Sequence, residues 1–264
     1  MRRQAVRATN YRAYQPKIYM AATVIFSAGA KGGTGKSTFL LYLIGWLLEA
    51  LITPLLIDAD EESRTLSRFF PQAMKVEPRK TKSYDVIMNL AETGQHPLIV
   101  VDLKAGVGNA MLDWFADVPF EELAEIGIRM VCVGVITSSP DAVSSLLRWV
   151  DFLGKRVKYL IVKNLKDSDA SGLDPARVEF PEYDRTTQAL EFRKKFKPAE
   201  IIMRGLDPEY QGELERANMT ISDVLDRRPG VPDILTPLIV RSKLRNYQGA
   251  LYEQFAAHKE LLLP

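Results

Sequence analysis

The chain has 264 residues, 47% of them hydrophobic, and a formal net charge of +2 at pH 7. That is enough for one large α/β domain with a substantial core, and the nearly balanced charge does not demand a nucleic-acid partner. The single cysteine, Cys132, excludes an intramolecular disulfide framework and CxxC-type zinc or iron–sulfur sites. His96 and His258 lack ligand spacing, so we expect no histidine metal site. Because the N-terminus also lacks the apolar stretch of a secretory signal, we expect a cytoplasmic protein.

The first twenty residues differ from the rest of the chain in charge. Between residues 1 and 17 there is no acid, and the basic residues are Arg2, Arg3, Arg7, Arg12 and Lys17. We predict that residues 1–20 form a flexible basic arm. A solvated tail and a contact with nucleic acid or an acidic partner both fit this pattern.

The remaining residues, 21–264, are predicted to form a single domain in which strands alternate with helices. In chain order we expect strands at about 23–28, 54–58, 96–102, 129–136, 158–162 and 178–180. We expect helices at about 37–50, within 61–70, and at 83–91, 109–116, 120–126, 140–153, 185–196 and 238–262. Alternation of this kind predicts an α/β fold, in which a mostly parallel central sheet is covered by helices on both faces.

Residues 38–57 form an apolar stretch close to the length of a membrane span, with Glu49 as the single charge. Pro54 interrupts this stretch, and two aspartates follow it. We therefore interpret it as a buried helix followed by a buried parallel strand. The helix is apolar on more than one face, which fits packing under a covering element or a docking face for a partner.

A glycine-rich segment, residues 30–38, lies between the first predicted strand and the first helix. Glycines allow a tight turn that points several N–H groups inward, and the helix start adds further free N–H groups. Lys36 can reach the β- and γ-phosphates of a nucleotide, and the Ser37 hydroxyl can bind Mg²⁺. We assign these residues to phosphate binding: Gly32, Gly33, Thr34, Gly35, Lys36, Ser37 and Thr38.

The segment departs from the general G-x-x-x-x-G-K-[ST] loop, because Ala30 stands where the first glycine belongs and Lys31 adds a second lysine. The pattern K-G-G-x-G-K-[ST] resembles the deviant Walker A motif of the ParA/MinD family of P-loop ATPases. The resemblance implies a P-loop NTPase fold, ATP and Mg²⁺ as cofactors, and a homodimer that forms on ATP binding. It also implies that Lys31 reaches across the dimer interface to the nucleotide of the other subunit.

Three aspartates fall at the carboxyl ends of predicted strands, where open parallel sheets bind their ligands. Asp102 follows an apolar strand and is typical of a Walker B aspartate that holds Mg²⁺ opposite Ser37. Asp58 and Asp60 resemble the family's D-x-D segment. By that resemblance Asp60 orients the attacking water and Asp58 supports the metal shell. The predicted catalytic residues are then Lys31, Lys36 and Asp60, and the predicted metal-binding residues are Ser37, Asp58 and Asp102.

Recognition of the base is less specific in this sequence. The strand that ends at Asn164 resembles the family strand whose terminal asparagine contacts adenine, and a turn-forming asparagine is the alternative. The segment that begins near Pro181 resembles the family loop that covers the base. After Asp102 the family reads D-x-P-x-G, and here Gly106 fits while Lys104 replaces the proline.

The resemblance implies a weak ATP hydrolase, stimulated by a partner or by DNA, that acts as a dimerisation switch. Its role would be to position, partition or mobilise DNA or a protein cargo, as in plasmid ATPases of the TraL/StbB/MobD kind. Two alternatives remain: a nucleotide-binding scaffold with little hydrolysis, which Lys104 motivates, and a small-molecule P-loop kinase or ligase.

The remaining predictions concern partners. We expect an adaptor or activating protein. Basic groups near residues 193–195, 227–228 and 241–245 could hold DNA non-specifically. The C-terminal helix carries Leu244, Tyr247, Leu251 and Phe255 on one face, which we expect to pack against the domain rather than on a membrane.

Overall fold

Seven parallel strands form one sheet in the computed structural model, which describes residues 21–77, 81–104, 108–166 and 179–264. The strand order is β3-β2-β4-β1-β5-β6-β7, with β1 at the centre. Every neighbouring pair is parallel, so the sheet prediction is confirmed. The strands are β1 Ala22–Ala28, β2 Leu55–Ala59, β3 Met74–Lys75, β4 Leu98–Leu103, β5 Ile128–Ile136, β6 Lys158–Asn164 and β7 Ala199–Met203.

Helices cover both faces of this sheet and create two hydrophobic layers. One layer lies under α3 to α8: Asp85–Glu92, Gly108–Asp117, Phe120–Glu125, Pro140–Leu153, Pro181–Arg185 and Thr187–Phe196. The other lies under α1, α2 and α9 to α12: Lys36–Glu49, Thr65–Phe69, Pro208–Ala217, Ile221–Leu225, Leu238–Ala257 and Lys259–Leu262. Because both faces are covered, β1 and β4 are buried at every residue, as their continuous apolar runs predict.

The strand registers bring the loop after β1 and the predicted acids to one edge of the sheet. β1 pairs with β4 from Thr23 opposite Leu98, and β2 pairs with β4 so that Asp58 lies opposite Asp102. The loop that leaves β1 therefore starts at the same edge as both aspartates. This is the carboxyl edge at which parallel sheets bind ligands.

The apolar stretch 38–57 divides into the body of α1 and the start of β2, as predicted. Among the described residues, no helix is both long and apolar enough to cross a membrane.

Several predicted elements differ from the structure. The helix predicted at 185–196 is interrupted by Thr186, whose backbone is extended, so α7 ends and α8 begins there. The last helix ends at Ala257, and α12 follows it after one residue. Of the strand predicted at 178–180, residue 178 lies outside the described residues, and Phe180 precedes α7 instead of joining the sheet. The basic arm, Gly106 and most of the loop after residue 166 also lie outside the described residues.

Five of the described α-helices and strands were missed: β3, β7, α9, α10 and, apart from Arg185, α7. β7 is a short edge strand of five residues with Glu200 in second position, so only three consecutive apolar residues mark it in the sequence. β3 has only two residues, both exposed.

The apolar side of α11 packs on α1, which confirms the packing expectation for the C-terminal helix. Leu244, Leu251 and Phe255 are buried. The Phe255 ring lies 5.6 Å from the Phe39 ring and 5.6 Å from the Trp46 ring, measured between centroids. The C-terminal helix therefore supports the helix that begins at the glycine-rich loop.

We predict that Phe255→Ala lowers the free energy of unfolding by about 3–5 kcal/mol, because it leaves a cavity between α11 and α1. Ile239→Ala on the same helix is the matched control. Ile239 is 66% exposed, so its truncation should change stability by less than about 0.5 kcal/mol. Urea unfolding of both variants gives the comparison, and equal costs would contradict the assigned packing.

Candidate functional site

The glycine-rich loop turns from β1 into α1 by using backbone conformations that glycine adopts at little cost. Gly29, Gly33 and Gly35 have φ angles of 110°, 71° and 93°. The amide of Ala30 donates to Ser145 Oγ at 2.6 Å, which fixes the loop to α6. Among the residues that the structure describes, no side chain caps the start of α1, so its first N–H groups are free to face an anion.

Lys36 is buried beneath this loop, and its Nζ donates to the carbonyl oxygen of Lys31 at 2.8 Å. Burial lowers the pKa of Lys36, while the carboxylates of Asp102 and Asp60 act in the opposite direction. The ammonium group therefore lies within electrostatic reach of both predicted acids. An added phosphate would further favour its charged form.

Asp102 is buried near the end of β4, and among the described residues one of its two oxygens lacks a hydrogen-bond partner. Ser27 Oγ donates to Oδ1 at 3.2 Å, whereas Oδ2 is buried without a hydrogen-bond partner among the described residues. Burial raises the pKa of Asp102 to about 7, and the nearby carboxylates of Asp58 and Asp60 add to the shift. The hydroxyls of Ser37 and Ser27 act against it. A nearby cation would stabilise the charged form of this buried carboxyl group.

Asp58 lies opposite Asp102 but has a different environment. Its Oδ2 accepts hydrogen bonds from the Ser67 amide at 2.8 Å and the Ser67 hydroxyl at 2.7 Å, and its Oδ1 accepts from the Asp60 amide at 3.1 Å. Both oxygens thus hold the start of α2 and the turn before it. These bonds occupy part of the acceptor capacity of the carboxylate, and the support of a metal shell by Asp58 stays a prediction.

Asp60 organises the next turn. Its Oδ1 accepts from the amides of Glu62 and Ser63, and its Oδ2 accepts from the Ser63 hydroxyl at 2.9 Å. Asp60 also lines the cavity that lies over the loop, together with Lys36. The turn therefore holds the carboxylate at the edge of that cavity.

Two cavities meet at the loop. The first, of about 250 Å³, is lined by the predicted residues Gly33 to Thr38, by Asp60 and by Ser63, Thr65 and Leu103. The second, of about 320 Å³, shares Gly33, Gly35 and Thr38 with the first and extends between β6, β7, α1, α9 and α11. Phosphates in the first cavity would place the rest of a nucleotide in the second.

Two buried atoms lack hydrogen-bond partners within the described part of the chain: Thr34 Oγ1, whose residue lines the first cavity, and Asp102 Oδ2, whose residue does not. A nucleotide phosphate could accept a hydrogen bond from Thr34, and Mg²⁺ could be held by the Ser37 hydroxyl and Asp102, because the Ser37 hydroxyl lies close enough to act on the pKa of that carboxyl. In the described residues no three His, Cys, Asp or Glu side chains group as a metal site. Mg²⁺ bound by one or two protein oxygens plus phosphate and water needs no such group. The residues present therefore fit a Mg–nucleotide ligand.

Asn164 supports the loop from β6. Its Nδ2 donates to the Thr34 carbonyl oxygen at 2.8 Å, and its Oδ1 accepts from the Lys166 amide at 3.1 Å. The second bond is the turn-forming role that the sequence left open. Asn164 also lines the second cavity, so the predicted adenine contact stays a prediction. Pro181 starts α7 and is exposed, outside the linings of both cavities, and its role likewise stays a prediction.

Several residues of the second cavity were missed from the sequence. Tyr42 is buried on α1 and donates to Gln211 Oε1 at 3.1 Å, and Gln211 Nε2 donates to Glu215 Oε1 at 2.8 Å. Tyr247 stacks edge-on against Tyr42, with ring centroids 5.6 Å apart. Tyr42 could have been found, since it lies one turn after Thr38. Nothing in the sequence relates the residues of α9 and α11 to the loop.

The two lysines of the loop face different surroundings. The Lys31 side chain is 45% exposed, and its Nζ lies 3.2 Å from Oδ2 of Asp141 in the first turn of α6. Lys31 lines neither cavity, and the exposed Gly32 beside it does not either. The loop therefore places Lys36 at the first cavity and leaves Lys31 at the surface.

Lys104 connects the turns that follow Asp60 and Asp102. Its Nζ lies 2.6 Å from Glu62 Oε1 and 3.6 Å from Glu61 Oε1. The hydrogen bond to Glu62 raises the pKa of Lys104. The residue that replaces the family proline thus bridges two segments beside the candidate site.

We predict that Asp102→Asn stabilises the metal-free protein at pH 8 by a few kcal/mol, because one pKa unit corresponds to about 1.4 kcal/mol. The pKa rises from 3.8 to about 7 on folding, so the folded protein retains a proton that the unfolded chain has lost. Wild-type stability should fall as the pH rises between these values, and the advantage of the variant should shrink at pH 5.

Asp58→Asn is the matched control for this test. The Asn side chain cannot accept all three hydrogen bonds made by Asp58, so it should destabilise by about 1–3 kcal/mol. Urea unfolding with EDTA at both pH values measures both variants. A less stable Asp102→Asn protein at pH 8 would contradict the assigned environment.

We predict that Gly35→Ala costs more stability than Gly33→Ala. Both glycines have positive φ, but a Cβ at Gly35 would lie 2.5 Å from Asn164 Nδ2, whereas nothing lies within 4 Å of a Cβ at Gly33. The excess cost should be about 1–3 kcal/mol. In a double-mutant cycle by urea unfolding, Asn164→Ala should recover part of it. Equal costs at the two glycines would show that Asn164 does not restrain the loop.

Comparison with known proteins gives evidence on the fold. No protein-family model and no curated protein matches the chain. Among solved structures it is similar to the MinC:MinD cell division protein complex of Aquifex aeolicus, with a TM-score of 0.51 and 16% identity over 92% of this chain and 98% of that one.

Two further structures are similar at lower scores. The MinD cell division protein of Aquifex aeolicus has a TM-score of 0.49 and 16% identity over 92% of this chain and 99% of that one. A putative plasmid partition protein of Borrelia burgdorferi B31 bound to AMPPNP has a TM-score of 0.45 and 14% identity over 90% and 99%. The chain therefore has the fold of MinD, which confirms for the fold the ParA/MinD resemblance that the loop sequence predicts.

Proposed function

We propose that the protein is a ParA/MinD-like ATPase that dimerises when it binds ATP and separates after hydrolysis. The observation that supports this proposal is that the side chains of Lys31 and Lys36 lie in different places. Lys36 is buried beside Asp60 and Asp102, while Lys31 is held at the surface by Asp141, away from its own phosphate cavity. A lysine in that position can serve a nucleotide held by a second copy of the chain.

The ion pair between Lys31 and Asp141 is suited to release. Both side chains are substantially exposed, at 45% and 75%, so the pair is worth at most about 1 kcal/mol. A triphosphate presented by another subunit carries several negative charges and would compete for the ammonium group. The ion pair therefore positions Lys31 but is weak enough to be exchanged for a contact with a triphosphate.

Hydrolysis of ATP requires that the attacking water is positioned and that the negative charge on the phosphate oxygens is neutralised. Lys36 would neutralise the β- and γ-phosphate oxygens, the free N–H groups at the start of α1 would bind them, and Asp60 would orient the attacking water. Mg²⁺, when held by Ser37 and Asp102, would supply further neutralisation of the phosphate charge. Lys31 of a second copy would add the last positive charge, so that hydrolysis depends on dimerisation.

The second cavity would hold the nucleoside, and we propose ATP as the nucleotide. Tyr42 and Tyr247 offer aromatic surface at the cavity, and Gln211 offers an amide that could pair with the hydrogen-bonding edge of adenine. Burial raises the pKa of Tyr42, so its hydroxyl stays a donor to Gln211.

A partner protein is part of the proposal. The MinC:MinD structure is that of a complex, which supports an adaptor for this chain. We propose a cytoplasmic switch whose cargo is DNA or another protein, as in plasmid partition or mobilisation.

A nucleotide-binding scaffold with little hydrolysis is the second candidate, and Lys104 favours it. The bonds of Lys104 to Glu62 and Glu61 join the turns after Asp60 and Asp102, which would restrain both turns when phosphate is lost. Single-turnover ATP hydrolysis, with and without DNA, separates the two candidates. A turnover rate that Lys104→Ala leaves unchanged would remove the support for the scaffold.

We predict that Lys36→Ala abolishes Mg-ATP binding, whereas Lys31→Ala retains Mg-ATP binding but loses dimerisation.

Asp60→Ala should slow hydrolysis by at least about 100-fold and accumulate the dimer, because the water is no longer oriented. Calorimetry measures binding, and size-exclusion chromatography with light scattering measures the dimer.

Asp141→Ala is the control for Lys31, since it removes the same ion pair but keeps the lysine. It should still dimerise. A strictly monomeric Asp60→Ala protein with Mg-ATP, or a dimer that forms equally well in Lys31→Ala, would contradict the proposal.

A further inference from the structure

Two adjacent arginines after α10, Arg227 and Arg228, and Arg241 in α11 line a third cavity. It has a volume of about 340 Å³ and lies where α10 ends and α11 begins. Its lining consists of Val224, Arg227, Arg228, Gly230, Val231, Thr236 and Arg241. None of these residues lines either cavity at the glycine-rich loop. The inference drawn from it does not depend on the proposed function.

The positive charge in this cavity is only partly compensated. Arg228 Nη1 lies 2.8 Å from Asp223 Oδ1. Arg227 and Arg241 make no side-chain ion pair within the described ranges, and no acid lines the cavity. Nε of Arg241 is buried and has no hydrogen-bond partner among those residues. A buried donor without an acceptor is costly, so a ligand that brings an acceptor would be favoured here.

The start of α11 adds to the anion-binding character of the cavity. This helix has 20 residues, no side-chain cap at Pro237 and no acid in its first turn. Thr236 and Arg241 lie on either side of that turn, and both line the cavity. The positive dipole end of the helix therefore lies beside the arginines, although its free amides, at residues 238–240, do not line the cavity.

Arg227 occupies a backbone position that favours glycine. It follows the end of α10 with a φ angle of 56°, and its amide and that of Arg228 bond to carbonyl oxygens of α10. Gly230, three residues later, also has positive φ. An arginine at such a position brings a cationic side chain to the cavity at the cost of backbone strain.

We propose that this cavity binds the phosphate group of a small phosphorylated molecule. Arginine guanidinium groups form paired, charge-assisted hydrogen bonds with phosphate oxygens, and Arg227 and Arg241 have such donors to spare. The cavity is larger than a phosphate group needs, and Val224 and Val231 offer apolar contact to the organic part. The ligand class is therefore a phosphomonoester.

The test is calorimetric titration with inorganic phosphate, glycerol 3-phosphate and a short DNA duplex. All proteins carry Lys36→Ala, so that phosphate binding at the glycine-rich loop does not obscure the result. Arg227→Gly and Arg241→Gln are the test variants. Arg245→Ala is the control, because Arg245 is exposed on the same helix but does not line the cavity.

Glycerol 3-phosphate should bind, and both test variants should weaken its binding at least about tenfold, while Arg245→Ala changes it by less than about twofold. Arg227→Gly relieves the positive φ, so it remains a valid test if Arg241→Gln does not fold. Absence of binding, or equal affinity in all three variants, would overturn the proposal. So would arginine-dependent binding of the duplex without binding of either small phosphate, which would assign these residues to a nucleic-acid surface.

Discussion

The candidate site depends on the burial of one lysine and one aspartate at the carboxyl edge of a fully covered parallel sheet. Lys36 is satisfied by a loop carbonyl oxygen, and Asp102 keeps one buried oxygen without a partner among the described residues. Burial disfavours the charged form of each group, as the direction of both pKa shifts indicates. A Mg–nucleotide ligand would supply the opposite charge to each of them. On this account the burial of both groups destabilises the ligand-free site, and ligand binding would offset that cost. The same burial would therefore lower the stability of the ligand-free protein and raise its affinity for the ligand.

The helix that follows the loop, α1, connects the candidate site to other helices of the molecule. The start of α1 faces the phosphate cavity, while its body packs against α11 through Phe39, Trp46 and Phe255. Tyr42, in the middle of α1, reaches Gln211 on α9 and so borders the second cavity. A shift of α1 on nucleotide binding would therefore displace its contacts with both α9 and α11. The Lys104 bridge offers a second connection, between the turns that follow the two acids.

The sequence predicted most of the fold and the phosphate half of the site, because both follow from local patterns. Buried parallel strands have continuous apolar runs, and the loop requires glycines at fixed spacing, so the carboxyl edge with Asp58, Asp60 and Asp102 could be located. The use of Asp58 could not be predicted, since its bonds to Ser67 depend on where α2 begins. Most of the second cavity also escaped prediction: beyond the loop only its residue Asn164 was proposed, and Tyr42 meets Gln211 across 169 positions of sequence. The edge strand β7 was missed because an apolar run of three residues after a glutamate is too short to be a distinctive pattern.

The central claim is that the two lysines of the loop serve two different triphosphates, one in each subunit. The most direct test is a crystal structure with Mg²⁺ and a non-hydrolysable ATP analogue. The account predicts a twofold dimer in which Lys31 has left Asp141 and its Nζ contacts the phosphates bound by the other subunit, while Lys36 contacts those of its own. A nucleotide-bound monomer in which Lys31 still pairs with Asp141, or points into solvent with no second subunit near it, would contradict the account.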